Sequence, residues 1–232
     1  GKGSPNKADS HGVHGAPLGD DEIKLTKQAL GLPEEDFYVD ERAREIFRAA
    51  KAKNEEMRQQ WHKDMKAWRA GNPDQAEVWD AIENREVPSD LLEQLAEAAG
   101  DSAAATRAIS GKIIQKAAEL IPAMVSGSAD LDGSCKTRIK ADGSFLNDNP
   151  TGRTMHYGIR EHAMGAVMNG ISLFGGFLPA GSTFLVFADY MRTPMRLASL
   201  MKISCAFVFT HDSAMLGEDG PHQHAVGRRH TA

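Results

Sequence analysis

Residues 155–190 read MHYGIREHAMGAVMNGISLFGGFLPAGSTFLVFADY. They set one carboxylate, Glu161, among apolar residues, with three aromatics following at positions 184, 187 and 190. Ala163, Met164, Val167, Met168, Ile171 and Phe174 recur at helical spacing, and Gly165, Ala166 and Gly170 keep the rest of that surface small. The spacing predicts a helix packed on most sides, ended by Gly175-Gly176. A short strand over 155–158 precedes it, and 183–187 reads as a buried strand. Glu161 therefore falls in the first turn of the helix, just after a strand. Two readings of it stand. It can compensate the helix dipole, as acidic residues at N-termini do, or it can be a catalytic acid whose neutral form is favoured by burial.

Outward from that stretch, strands and helices alternate. A helix carries Ala105, Ile109, Ile113, Ala117 and Leu120 and stops before Pro122. A buried strand over 123–126 follows, then a loop with Asp130 and Asp132, for which turn chemistry is one reading. Past the central helix come the strand over 183–187, a Met- and Leu-rich helix over 190–201 and a strand over 205–210. This order argues an α/β fold: a parallel sheet with helices on both faces. In such sheets ligands bind outside the carboxyl ends of the strands, where Glu161 and His211 both fall. Arg107 sits near the start of its helix and opposes the dipole, so an anionic partner suits it. Phe184, Phe187 and Tyr190, three apart, fit a core as well as a cofactor box.

Upstream, residues 1–20 are rich in Gly, Pro, Asn and Asp and read as loop. His11 and His14 lack a carboxylate or cysteine partner at metal-ligand spacing. A short capped helix follows Asp20-Asp21. Residues 40–70 form an amphipathic helix with mixed charge rather than a sustained heptad, and two shorter helices follow Pro73 and Pro88. This polar, mostly helical run reads as a connector, with the domain boundary near Gly100: 1–100, then 101–232.

The 232 residues carry a formal net charge of −5, which offers no basic field for nucleic acid or an anionic membrane. No apolar run reaches the ~18 residues needed to span a bilayer, and no signal peptide is legible. Cys135 and Cys205 lack CxxC or CxxH neighbours, which suggests reduced thiols and a cytoplasmic address. Neither a GxGxxG nor a GxxxxGK[ST] pattern occurs.

The wording Tyr157-Gly158-Ile159-Arg160-Glu161-His162-Ala163-Met164, followed by Asn169-Gly170-Ile171-Ser172, closely resembles the pyrimidine-binding domain of transketolase. Four further stretches agree with it in the family's order: Gly12-Val13-His14-Gly15-Ala16-Pro17-Leu18, Gly127-Ser128-Ala129-Asp130-Leu131, Ser182-Thr183-Phe184-Leu185, and Thr210-His211-Asp212-Ser213 with Gly217-Glu218-Asp219-Gly220-Pro221. The resemblance implies thiamine diphosphate and magnesium as cofactors, a homodimer with the cofactor between subunits, and sugar phosphates as substrates. A two-carbon ketol unit would pass from a ketose phosphate to an aldose phosphate in the pentose phosphate pathway.

By the same resemblance Glu161 matches the glutamate that bonds a pyrimidine nitrogen and favours the ring's imino form. Phe184, Phe187 and Tyr190 match aromatics around the aminopyrimidine. Asp130 matches a position at the cofactor pocket, and His14 one beside the diphosphate and thiazolium. Arg107 and Ser134 match residues that bind the sugar phosphate. His14 and His211 match residues near the reacting oxygens, Asp219 a carboxylate bonding a substrate hydroxyl, and His222 a phosphate-binding histidine.

The sequence also departs from the family. After Pro221 a threonine is missing and 225–232 no longer match, which reads as a reading-frame slip or truncated gene. Ser134 lacks the family's flanking proline and asparagine. The aspartate and asparagine that hold magnesium in the family are not found, and their place is expected upstream. The chain is therefore read as a fragment that alone binds cofactor poorly, transfers no ketol unit and exposes sheet edge and dimer surface. Alternatives are another thiamine diphosphate-dependent transferase and a non-catalytic partner subunit.

Overall fold

The computed structural model describes residues 1–211. The chain divides into two compact units, Gly1–Gly71 and Asn72–Ala232.

In the first unit a loop with one 3-10 turn, His11–Val13, leads into α1, Asp20–Ala29, and then the long α2, Glu41–Gly71. Three acidic residues open α1, where its dipole favours them. One of them, Glu22, is buried and turned onto the loop. Its carboxylate accepts from the Ser4 hydroxyl, and from the Asn6 amide N–H and side-chain nitrogen at 2.9 Å each. The Ser4 bond first, then those of Asn6, hold the Glu22 carboxyl below the ordinary carboxylate range. Among the described residues the apolar side of α2 stays largely open: the helix buries no residue, and Ile46, Phe47, Met57 and Trp61 stand exposed.

The second unit begins with α3, Pro73–Asn84, its proline at the first turn where no N–H is missed. α4, Leu91–Ala99, and α5, Thr106–Leu120, follow. Four parallel strands then form one sheet: β1, Met124–Ser128; β2, Thr154–His156; β3, Leu178–Phe184; and β4, Ala206–Thr210. Their order is β2-β1-β3-β4. Between them lie α6, Asp132–Cys135; α7, Glu161–Phe174; a 3-10 stretch, Leu185–Met191; and α8, Arg192–Met201.

Register explains how helices cover both faces. Gly127 pairs with Met155 on one side and Gly181 on the other. Two adjacent glycines leave room on the sheet, which the Tyr157 ring takes at Gly127 and methionines of α7 take at Gly181. A Cβ at Gly181 would strike the sulfur of Met168 and lie 3.1 Å from that of Met164. On the opposite face, because side chains alternate along a strand, Ser182 meets Thr137, just past α6, at 2.5 Å and donates to the Gly127 carbonyl at 3.1 Å.

Two expectations need correcting. The strand expected at 183–187 runs from Leu178 to Phe184, and 185–191 is 3-10 helix. Pro179 and Gly181 disguise the strand as a turn, yet both are tolerated: the proline lies near its start, and the glycine makes room for α7. The central helix is also not packed on most sides. Its buried residues Glu161, Met164, Gly165, Met168, Asn169 and Ser172 form a single stripe. Val167, Leu173 and Phe174 lie outward, the last 87% exposed. The described chain supplies one covering layer, so an apolar second face is left open.

Two side chains give testable consequences for stability. The half-buried Arg153 donates to the carbonyls of Ala118 at 2.8 Å, Ile121 at 3.1 Å and Met124 at 3.3 Å, and bonds the Asp142 carboxylate at 2.8 Å. It satisfies the carbonyl end of α5, which has few other partners there. Arg153→Met is expected to cost about 2–3 kcal/mol, read as a lowered urea midpoint.

Tyr157 lies in the core with Ala129, Met164, Met168 and Met191. Burial pushes its hydroxyl up from 10.0 to about 12, because the phenolate would be desolvated. A raised pKa means the folded state prefers the protonated form, so this contribution is complete below the unfolded pKa. It is lost as pH rises from 10.0 towards about 12. A urea midpoint that falls across that window in the wild type, and falls less in Tyr157→Phe, is the expected result.

Candidate active site

All four strands point their carboxyl ends at one side of the sheet, and the candidate residues of this unit follow them. Asp130 comes two residues after β1, Glu161 five after β2, the aromatic series ends β3 and begins the 3-10 stretch, and His211 directly follows β4. Asp130 and His211 both adopt left-handed backbone, with φ 63° and 54°. This lets the chain turn sharply off a strand end, at a cost that β-rim positions near ligand sites often carry.

Glu161 is only 8% exposed, at the first position of α7. Its carboxylate makes no hydrogen bond to a described residue. It lines a cavity of about 520 Å³ whose other walls are Ala129, Asp130, Leu131, Ile159, Phe187 and Tyr190. That volume lies in the range of small-molecule sites. A buried carboxylate lacking a protein partner carries a desolvation cost that a ligand donor would relieve.

A ladder of rings runs from the cavity towards β4. Tyr190 and Phe187 stack at 6.2 Å, Phe187 and Phe184 at 5.8 Å, and Phe184 meets the His211 ring at 4.1 Å. The register places Phe184 opposite Thr210, which brings the ring and the histidine together. At the far end of the ladder the Arg107 guanidinium donates to His211 Nε2. Arginine has only donors, so Nε2 accepts and the neutral ring carries its proton on Nδ1. That proton is then directed at Thr210 Oγ1, 2.9 Å away. Thr210 Oγ1 in turn lies 3.2 Å from Cys135 Sγ, and burial pushes that thiol up.

The structure thus brings Glu161, Asp130, Phe187 and Tyr190 around one cavity, joins Phe184 and His211 to it through ring contacts, and joins Arg107 through its hydrogen bond to His211. Ser134 lies in α6, half-buried; its amide bonds the Leu131 carbonyl at 3.1 Å. His14 belongs to the first unit, after the 3-10 turn. Asp219 and His222 lie outside the described residues. Thr210 and Cys135 were not legible as site residues: they stand 75 positions apart, and nothing in the sequence couples them. Ile159, exposed beside the buried Glu161, also lines the cavity, and an exposed isoleucine next to a charge in the sequence is a signal for it.

Known proteins can be set beside this geometry. The family described as Transketolase, pyrimidine binding domain matches residues 102–229, and Transketolase, thiamine diphosphate binding domain matches 1–88. A transketolase of Staphylococcus epidermidis is 43% identical over 223 residues, covering 95% of this chain and 34% of the relative. That of Bacillus subtilis is 44% identical, with 95% and 33% covered. Among solved structures, a Pichia stipitis transketolase complexed with sedoheptulose-7-phosphate superposes with a TM-score of 0.78 at 36% identity, covering 92% of this chain and 33% of that one. A Campylobacter jejuni transketolase gives 0.74 at 33% identity, with 96% and 33% covered. The chain spans about a third of the length of the curated relatives it matches.

Proposed function

The chain belongs to the transketolase family, and from that premise we propose that it supplies the pyrimidine-binding part of a complete transketolase. Such an enzyme would move a two-carbon ketol unit from a ketose phosphate to an aldose phosphate in the pentose phosphate pathway. The observation that carries the reading is Glu161: a buried carboxylate, without a hydrogen bond to any described residue, on a cavity walled by Phe187 and Tyr190. An aminopyrimidine ring fits such a wall, with a flat apolar face for the aromatics and ring nitrogens for the acid.

When bound, thiamine diphosphate supplies the electron sink for breaking a bond beside a carbonyl. The chain's own residues would prepare it. Glu161 would share a proton between its carboxyl oxygen and a pyrimidine nitrogen. Phe184, Phe187 and Tyr190 fix the ring plane and exclude water, while Asp130 bounds the cavity mouth. Arg107 and Ser134 offer a fork of donors and a hydroxyl to a sugar phosphate. Arg107's existing bond to His211 would keep the guanidinium oriented until that anion arrives.

His211, its tautomer set by Arg107 and Thr210, and His14 would exchange protons with substrate oxygens near neutral pH. Asp219 and His222 keep the substrate-binding roles that the family pattern gives them. Magnesium is proposed together with the cofactor. Among the described residues no group of three or more His, Cys, Asp or Glu could hold a metal ion, so its ligands are sought in the rest of the enzyme.

The domain boundary is proposed near Gly100, in the gap between the two family matches. A homodimer is proposed too, and the open apolar face of α7 with Val167, Leu173 and Phe174 supports it. The two free cysteines support a cytoplasmic address, and among the described residues no helix is long and apolar enough to cross a membrane.

The test is a chimera in which residues 1–221 replace the matching third of the Bacillus subtilis transketolase. With thiamine diphosphate and magnesium it is expected to transfer ketol units from sedoheptulose-7-phosphate to an aldose phosphate, while the 232-residue chain alone gives none. A folded, dimeric chimera that binds cofactor but transfers nothing would contradict the reading.

A further inference from the structure

A second cleft of about 430 Å³ opens between α5 and the segment 132–140. Four cations line it, Lys112, Lys136, Arg138 and Lys140, against one carboxylate, Asp132. This is a local excess of positive charge on a chain whose formal net charge is −5. Lys112, Lys136 and Lys140 form no ion pair with a described residue. Only Arg138 approaches the acid, at 3.9 Å, while its other terminal nitrogen donates to Ser144 Oγ at 3.1 Å.

The backbone beneath these cations is fixed by two contacts. At Gly111 the helix runs against residue 136 so closely that an added Cβ would lie 2.8 Å from the Lys136 Cβ and 3.2 Å from its carbonyl oxygen. One turn further along α5, Gln115 clamps the segment with both ends of its amide. Its nitrogen donates to the Arg138 carbonyl at 2.8 Å and its oxygen accepts from the Lys140 amide at 3.0 Å. The glutamine thus holds the bases of Arg138 and Lys140 at a set distance from the helix that carries Lys112. Gly133 also lines the cleft, with nothing within 4 Å of a would-be Cβ, so that side stays open.

We propose that this cleft is a binding site for small anions carrying two or more linked phosphate groups, separate from the substrate-phosphate role given above to Arg107 and Ser134. Four cations around a volume of this size exceed what one phosphate can engage. Lysine ammoniums serve as point charges for phosphate oxygens, and the arginine fork adds a directed pair of donors. Focusing by the cleft walls raises the local anion concentration further. The proposal is independent of the catalytic reading, since none of the four cations belongs to it.

Isothermal titration of inorganic tripolyphosphate into the 232-residue chain at low salt tests it. Binding is expected, weakened by about tenfold or more in Lys136→Gln/Arg138→Gln and again in Lys112→Gln/Lys140→Gln. It should be retained in Lys136→Arg/Lys140→Arg and unchanged in Arg107→Gln. Circular dichroism melts that overlay the wild type certify the variants, and the charge-preserving pair keeps the test valid if a glutamine variant unfolds. Absence of binding, equal binding by the glutamine variants, or loss in Arg107→Gln instead would each overturn the proposal.

Discussion

Replacing Glu161 by Gln in the chimera is expected to lower kcat for ketol transfer by about a hundredfold to ten-thousandfold, the range for removing an essential acid or base. Stability should hardly move. Glutamine has nearly the same shape, and the carboxylate has no hydrogen bond to a described residue that the swap could break. The buried position even favours the uncharged amide. An unchanged melting temperature alongside the lost rate would separate chemistry from folding. A variant that unfolds but keeps its rate per folded molecule would instead leave Glu161 with the dipole-compensating role, the other reading of an acid in a first helical turn.

The second large effect is structural. Gly127→Ala is expected to destabilise the second unit by about 3 kcal/mol or more, because the new methyl has nowhere to go. It would meet the backbone carbonyl oxygen of Met155 on β2, and it would lie 2.8 Å from a ring carbon of Tyr157. A flexible side chain could yield; a carbonyl inside a parallel ladder cannot. Since whole domains are stable by only about 5–15 kcal/mol, the variant should accumulate as aggregate. Where soluble, it should show a sharply lowered urea midpoint. Gly170→Ala provides the control: it lies within α7, and nothing lies within 4 Å of its would-be Cβ. Alanine should be tolerated there and should favour the helix slightly.

These two residues also mark what could be read from the chain before its structure. Glu161 announced itself, because a charge among Met, Ala and Gly at helical spacing breaks its own pattern. The order of strands and helices then sufficed to put it at the carboxyl ends of a parallel sheet. The steric demand at Gly127 was not legible: a glycine in a short apolar run looks like a turn, and only the pairing with Met155 and the nearby Tyr157 ring reveal why no side chain fits there. The same blindness displaced β3, whose Pro179 and Gly181 imitate loop while Phe184 to Phe187 imitate strand. Propensity is local, and here the packing of Met164 and Met168 overrides it.

The site divides in the same way. The aromatic series at spacing three fits a helical face, and the 3-10 geometry of 185–191 instead turns it into a ladder reaching His211. Arg107 was legible as a cation in need of an anion. Its engagement by a histidine 104 positions away was not, since no periodicity encodes a contact across the sheet. The single-sided burial of α7 follows from an apolar face for which the described chain provides no cover.

The most direct measurement is a crystal structure of the chimera with thiamine diphosphate bound. A Glu161 carboxyl oxygen is expected within hydrogen-bond distance, about 2.6–3.2 Å, of a pyrimidine nitrogen, with the ring against Phe184, Phe187 and Tyr190. A pyrimidine held elsewhere, with Glu161 facing only protein or water, would contradict it.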